Sequence, residues 1–436
     1  MTRLNGSDLL ALGFMTFALF LGAGNIIFPA SAGMASGENI WPVAIGFLIT
    51  GVGLPLLTIV ALARVGGGMP SLTAPLGRVA GVALAVAVYL AIGPLFATPR
   101  TAVVSFEIGV APFSGSNWQA LLVYTLIYFA VVLYLVLNPG RLLDRVGKVL
   151  TPVLLIALVL LGAAAIFAPA GPAGGVTPAY QDAPLIKGFL DGYLTMDALG
   201  ALVFGIVIAT AIRDRGVTSP ALVTRYSIIA VIIAAIGLGL VYLSLFHLGA
   251  TSYSLAQGAT NGGQVLTAYV QHTFGNPGLL LLALVIILAC LTTGVGLITA
   301  CGEFFSQLLG VSYKAVAVVF TLFSLLVANL GLSELIRISI PVLVGLYPLA
   351  IVLVLLSLAD RLWREPSRVM RPAMAVALVF GLADGLLASD LKGWVPGFFT
   401  TLPWAEQSMG WVLPVLAVLL VAVVIDRLLP PPAVSE

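Results

Sequence analysis

Charge is what this sequence has least of. Asp, Glu, Lys and Arg make up 8% of its 436 residues, against about 25% in an ordinary soluble domain. That excludes a water-soluble globular chain. A net charge of +2 is also too small for nucleic-acid binding. Cysteine and histidine are scarce, two of each. Cys290 and Cys301 fall on one apparent helix, roughly 16 Å apart at ~1.5 Å per residue. A disulfide needs Cα atoms within about 7 Å, so these two do not pair. His247 and His272 have no partners at metal-ligand spacing. There is no Gly-x-Ser-x-Gly, no His-Glu-x-x-His and no catalytic pair of aspartates within a hydrophobic run, so nothing points to an enzyme. A channel, the rival reading, would need rings of like residues around a pore, which one chain with two different breaks does not suggest. No short signal peptide with a cleavage site precedes the first apolar run. The chain after Leu429 reads Pro-Pro-Pro-Ala-Val-Ser-Glu, so no soluble domain is expected at either end.

What remains is apolar: 61% of the residues are hydrophobic, which makes this a polytopic membrane protein. At ~20 residues per span, the runs fall at about 9–35, 40–63, 80–110, 119–138, 148–168, 189–212, 222–249, 278–309, 314–331, 335–358, 370–389 and 410–428. That predicts an all-α integral membrane protein of twelve transmembrane helices in one domain. Basic residues support the count. With the N-terminus and every second loop on one side, that side collects fifteen of the 19 Lys and Arg. The other four are Lys187 and Lys392, opposite, and Arg100 and Arg337, within or beside spans. So asymmetric a split places both termini in the cytoplasm. The segment 169–188 reads as a Gly/Pro-rich loop, and Val265–Val270 as a short helix outside the membrane.

Two spans carry poor helix material in their middle. Leu21-Gly-Ala-Gly-Asn-Ile-Ile-Phe-Pro29 interrupts the first; Gly weakens a helix by about 1 kcal/mol and Pro by about 3. Leu194-Thr-Met-Asp-Ala-Leu-Gly200 does the same in the sixth. Five spans separate them, so the two helices run in opposite directions. This is the pattern of inverted five-span repeats, about 9–168 and 189–358, with two extra helices at about 370–428. At such breaks one half-helix offers free N–H groups and the other free carbonyls. A zwitterion suits both, and carbonyls also hold a small hard cation. No buried charged side chain is required.

Other polar residues keep two readings open. Thr292 and Thr293 in the eighth span either bond back to their own helix or supply oxygens to Na⁺. Arg100 and Glu107 in the third span are either structural near the outer interface or take part in gating or substrate contact. Asp197 either caps a half-helix or binds a cation or proton. Asp384 reads as structural.

Several stretches resemble the branched-chain amino acid:cation symporters, the bacterial system II carrier family. They are Gly13-Phe-Met-Thr-Phe-Ala-Leu-Phe-Leu-Gly-Ala-Gly-Asn-Ile-Ile-Phe-Pro29, Gly93-Pro-Leu-Phe-Ala-Thr-Pro-Arg-Thr-Ala102, Gly192-Tyr-Leu-Thr-Met-Asp-Ala-Leu-Gly200 and Leu330-Gly-Leu-Ser-Glu-Leu-Ile-Arg-Ile-Ser-Ile-Pro341. The resemblance spans essentially the whole chain. It implies import of leucine, isoleucine and valine coupled to Na⁺, with H⁺ as the alternative, and a LeuT-like fold of five-plus-five inverted repeats with helices 1 and 6 broken. It also implies that Gly22-Ala-Gly-Asn25 holds the substrate carboxylate. Ala289-x-Leu-Thr-Thr293 resembles an eighth-helix Na⁺ motif, whose first-helix partners would be the carbonyls of Ala18 and Leu21. After Asn25 the chain is one residue shorter before the proline than the neurotransmitter-type pattern, and it lacks that pattern's arginine.

The resulting expectation is a secondary symporter of the bacterial cytoplasmic membrane working by alternating access. Its substrate site comprises Gly22, Ala23, Gly24, Asn25, Thr195, Asp197 and Gly200, with an apolar pocket from Leu95, Phe96, Leu202 and Phe204. Na⁺ binds at Ala18, Leu21, Ala289, Thr292 and Thr293. Beyond that ion no cofactor is expected. The partners are the small amino acid and membrane lipid, with no nucleic acid and no obligate protein.

Overall fold

A computed structural model describes residues 4–138 and 141–430, the side chains of 141–151 excepted. Arg3 and the side chains of Arg141, Arg145 and Lys148, which the orientation argument uses, lie outside that description, as do residues 431–436 of the tail. In chain order the helices are α1 (Gly6–Phe20), α2 (Ala23–Ser36), α3 (Ile40–Leu48), α4 (Leu54–Val65), α5 (Met69–Thr73), α6 (Arg78–Leu90), α7 (Ala97–Gly109), α8 (Ala111–Ser114) and α9 (Trp118–Leu137). They continue as α10 (Arg141–Phe167), α11 (Pro184–Tyr193), α12 (Asp197–Arg213), α13 (Pro220–Thr251), α14 (Gly262–Leu309), α15 (Tyr313–Ala328), α16 (Leu332–Leu358), α17 (Pro366–Leu387) and α18 (Val412–Leu428). No strand occurs among the described residues.

Local chemistry explains where these helices start and bend. Asn5 opens α1 with a capping box: its Oδ1 accepts from Asp8 N at 2.8 Å, and Asp8 Oδ2 accepts from Asn5 N at 3.2 Å. Wider π turns link α3 to α4 at Ile49–Gly53 and α6 to α7 at Ala91–Leu95. In the second, Gly93 leaves helical geometry (φ −88°, ψ −115°) just before Pro94, and Pro cannot continue the hydrogen-bond ladder. The expected short helix around Val265–Val270 is present as the first part of α14. It turns sharply at Gly275 (φ 62°, ψ −158°) before Pro277.

Seven helical stretches among the described residues are long and apolar enough to cross a membrane, or eight if α11 and α12, bent by 43°, form one span. Twelve equal runs are therefore not what helix lengths display. Ala23–Val65 and Arg78–Gly109 each run on as one stretch through their π turns, while α1 and α15, with 15 and 16 residues, fall short. The helices touch closely where small residues let backbones approach. A Cβ on Gly33 in α2 would lie 2.2 Å from the Phe246 carbonyl oxygen of α13, and one on Gly249 would lie 2.0 Å from that of Ala30.

Side chains gather into two buried apolar clusters. One joins α1 and α2 to α7, α9, α13 and much of α14. The other joins α4, α6, α12, α16 and α17. Both helix breaks lie along the seam between them.

Candidate functional site

Each break is narrower than its sequence suggests. Leu21 (φ −72°, ψ 90°) and Gly22 (φ −110°, ψ −172°) are extended, and the helix resumes at Ala23. Gly24, Asn25 and Pro29 are thus helical. Pro29 still matters, because without an N–H it leaves the Asn25 carbonyl without its helical donor. The second break is Leu194–Met196, and Met196 holds a left-handed backbone (φ 62°) that disfavours side chains. Asp197 to Gly200 form the first turn of α12.

The end of α1 leaves carbonyls free. Leu21 N–H reaches back to the Phe17 oxygen at 2.9 Å. Gly22 N–H, the next in line for Ala18, is instead taken by Asn25 Oδ1 at 2.9 Å. The carbonyls of Ala18, Leu19 and Phe20 thus have no following helical N–H. Across the gap, Ala23 and Gly24 offer first-turn N–H groups.

Asn25 ties the breaks together. Its Nδ2 donates to Asp197 Oδ2 at 2.5 Å and also to the Tyr242 hydroxyl, which itself donates to Asp197 Oδ2 at 2.8 Å. All three side chains are buried. Arg100 comes in from α7: Nη1 donates to the Leu194 carbonyl at 2.5 Å, and Nη2 reaches Ser339 Oγ at 3.5 Å. Its guanidinium carbon stands 5.0 Å from the centre of the Phe28 ring, and Nε has no acceptor. Gly24 makes room for it, since a Cβ there would lie 3.2 Å from Arg100 Nη1 and 3.3 Å from the Leu194 oxygen.

These groups face a cleft of about 60 Å³. Its lining includes Gly22, Ala23, Gly24, Asn25, Thr195, Asp197, Gly200, Phe204 and Thr293, joined by Arg100 and Thr101. Nearly every expected substrate residue is therefore brought together. The exceptions are three of the expected apolar residues: Phe96 and Leu202 are buried in the second apolar cluster. Leu95 turns to a separate groove. That groove is far larger, about 870 Å³, but Leu and Ala dominate its walls and Arg371 is its one charged residue. It has little to orient a polar ligand. A third cavity, about 360 Å³, holds Lys187, Asp191 and Glu406.

The Thr pair adopts the local arrangement. Thr292 and Thr293 hydroxyls both donate to the Ala289 carbonyl at 2.9 Å. Each hydroxyl oxygen keeps its lone pairs for a cation. Thr293 lines the cleft, with its methyl 3.7 Å from where a Gly22 Cβ would stand; Thr292, Ala289, Ala18 and Leu21 do not line it. Asp384 is structural as expected, accepting from Trp411 N at 3.3 Å ahead of α18. Cys290 and Cys301 are free and buried. Arg100 belongs to the cleft rather than to an outer interface. The kinking Gly93-Pro94, seven and six residues upstream, was the available signal. Tyr242 and Ser339 carry no signal of their own, being single hydroxyls in apolar helices.

Comparison with known proteins bears on the whole chain. A family model described as branched-chain amino acid transport protein matches residues 5–429. The branched-chain amino acid transport system 2 carrier protein of Pseudomonas aeruginosa is 72% identical over 432 residues, 99% of each chain. The branched-chain amino acid permease BrnQ of Escherichia coli is 53% identical over 425 residues, 98% of this chain and 97% of that one. A crystal structure of a manganese transporter from Eremococcus coleocola matches with a TM-score of 0.58 at 16% identity, covering 98% of this chain and 97% of that chain. At that identity the likeness speaks for the LeuT-like fold alone. Aligned from end to end with carriers and permeases, and with no enzyme among them, this chain belongs to the branched-chain amino acid transport protein family.

Proposed function

We propose that the protein imports leucine, isoleucine and valine by Na⁺-coupled symport and alternating access. The observation that carries this reading is the pairing of two helix breaks across one buried cleft, tied by Asn25 and Asp197. Both polarities of backbone group converge there: N–H groups at the start of α2 and carbonyls at the end of α1. Phe204, Leu19 and Ile92 supply apolar wall for an aliphatic tail. A cleft of about 60 Å³ is well below the ~300 Å³ of an ordinary ligand pocket, so loading requires the two sides of the seam to part. Such parting is what alternating access demands.

In this reading the chain is a single transporter domain with twelve spans. Helices α1 and α2 form span one, α11 and α12 form span six, and spans one to five and six to ten are inverted repeats. Both termini face the cytoplasm of a bacterial cell, as the basic residues argue. Na⁺ sits on the Ala18, Leu21 and Ala289 carbonyls and the Thr292 and Thr293 hydroxyls. Hard cations favour such oxygen donors. Its inward flow supplies about 2.3 kcal/mol per charge for each 100 mV, before any concentration term. Proton coupling is the second reading, and Asp197 favours it as the one carboxylate in the cleft.

Uptake of ³H-leucine into proteoliposomes, with Na⁺ and H⁺ gradients imposed separately, tests the assignment. Accumulation above equilibrium under the Na⁺ gradient alone is expected. Accumulation under the H⁺ gradient alone would replace the ion, and none under either would remove the substrate assignment.

A further inference from the structure

Arg100 is 2% exposed, yet it pairs with no acid. The ion pairs among the described residues are Lys187–Asp191, Arg337–Glu334 and Arg337–Asp390. Its guanidinium instead leans on neutral groups: the Leu194 carbonyl, a long contact to Ser339 and the face of Phe28. Nε is buried without an acceptor. Asp197 is the mirror case. It is 5% exposed, accepts from the neutral Asn25 and Tyr242 on Oδ2, and has the neutral Thr195 hydroxyl as its further side-chain partner. A basic and an acidic side chain thus line one cleft without forming an ion pair with each other. A buried charge left on neutral partners is costly, and inside a membrane it marks function by default.

We propose that these two side chains read the zwitterion directly, with the substrate carboxylate on the Arg100 guanidinium and the substrate ammonium on Asp197. This rests on the transport reading above and deepens it. The planar fork of arginine matches a carboxylate with parallel N–H bonds, which a lysine cannot reproduce. The carboxylate also lies within reach of the first-turn N–H groups of α2, because Gly24 brings that turn against Arg100. Asp197 supplies the ammonium with a charged acceptor beside the free carbonyls of α1. The substrate bridges the two charges and neutralises both. The site therefore demands both ends of an α-amino acid, and it discriminates against amines and carboxylic acids of the same shape. Arg100 becomes a substrate-binding residue and a specificity determinant.

Equilibrium binding to the purified full-length protein in detergent tests this, with leucine, leucinol (no carboxylate) and 4-methylpentanoate (no ammonium) as ligands. Wild type should bind leucine at least about 100-fold more tightly than either analogue. Arg100→Gln should lose about 10- to 100-fold for leucine while leaving leucinol within about threefold of its wild-type value. Asp197→Asn should lose leucine affinity similarly and spare 4-methylpentanoate. Arg100→Lys keeps the buried cation and should fall between wild type and Arg100→Gln; it serves as the second variant if the glutamine form does not fold. The proposal is overturned if either Arg100 variant that folds retains wild-type leucine affinity, or loses leucine and leucinol equally. Failure of wild-type protein to bind leucine at all would instead remove the transport reading on which the proposal stands.

Discussion

A Cβ on Gly24 would stand 3.2 Å from Arg100 Nη1 and 3.3 Å from the Leu194 oxygen and from the Phe28 ring. Three elements of the cleft meet at that one position. Gly24→Leu should therefore reach the membrane in normal amount and lose transport by about 100-fold or more, the scale of a 1 Å misplacement at a reacting or binding centre. Uptake normalised to surface-labelled protein measures it; normal uptake would show that the guanidinium need not approach α2. Gly22 is roomier, its nearest neighbours lying at 3.5 Å or beyond, so Gly22→Ala should be far milder. The Thr pair gives a second residue-scale outcome. Both hydroxyls bond only to the Ala289 carbonyl, so Val is nearly isosteric and should leave the helix intact. Thr292→Val and Thr293→Val should each raise the Na⁺ concentration for half-maximal uptake by about tenfold; unchanged Na⁺ activation would dismiss the ion site.

Among the elements, the contact of α2 with α13 constrains the cleft, because α2 carries the first break. Gly249→Ala would push a methyl to 2.0 Å from the Ala30 oxygen. Overpacking of that kind costs about 1–3 kcal/mol and should lower the melting temperature of the purified protein. Gly296 sits in the α14 helix with nothing within 4 Å. Gly296→Ala should raise the melting temperature, by the ~0.5–1 kcal/mol that Ala gains over Gly in a helix. Equal shifts from the two would contradict the packing described here. At this scale the sequence was informative about the existence of each break and poor on its extent. Gly, Asn and Pro mark Leu21–Pro29 as irregular, yet only Leu21 and Gly22 leave the helix. Asn25 explains the difference: its side chain caps Gly22 N–H and lets the helix restart at once. Propensity sums a local tendency, whereas this cap depends on one rotamer that Asp197 and Tyr242 hold from other helices. Arg100 kept two readings in the sequence, because where its side chain goes depends on the π turn at Ala91–Leu95 that precedes α7.

For the whole molecule, the cleft lies where two apolar clusters meet. Phe20 and Ala23 belong to one, while Ile92, Met196 and Leu297 belong to the other. Few polar side chains cross that seam near the cleft: Asn25 and Tyr242 reach Asp197, and Arg100 reaches Leu194 and Ser339. On the proposed reading the seam is both the binding surface and the line of parting, and substrate that bridges Arg100 and Asp197 would hold it shut. The existence of the two breaks was readable from the chain. Which walls close around the ligand was not, since Phe96 and Phe204 look alike in sequence and only Phe204 reaches the cleft. The most direct test is a cryo-EM structure of the full-length protein with leucine and Na⁺. The account predicts leucine density between Leu21–Asn25 and Leu194–Asp197, with its carboxylate toward Arg100. Leucine density elsewhere, in the apolar groove beside Leu95 or in the cavity beside Lys187, would contradict it.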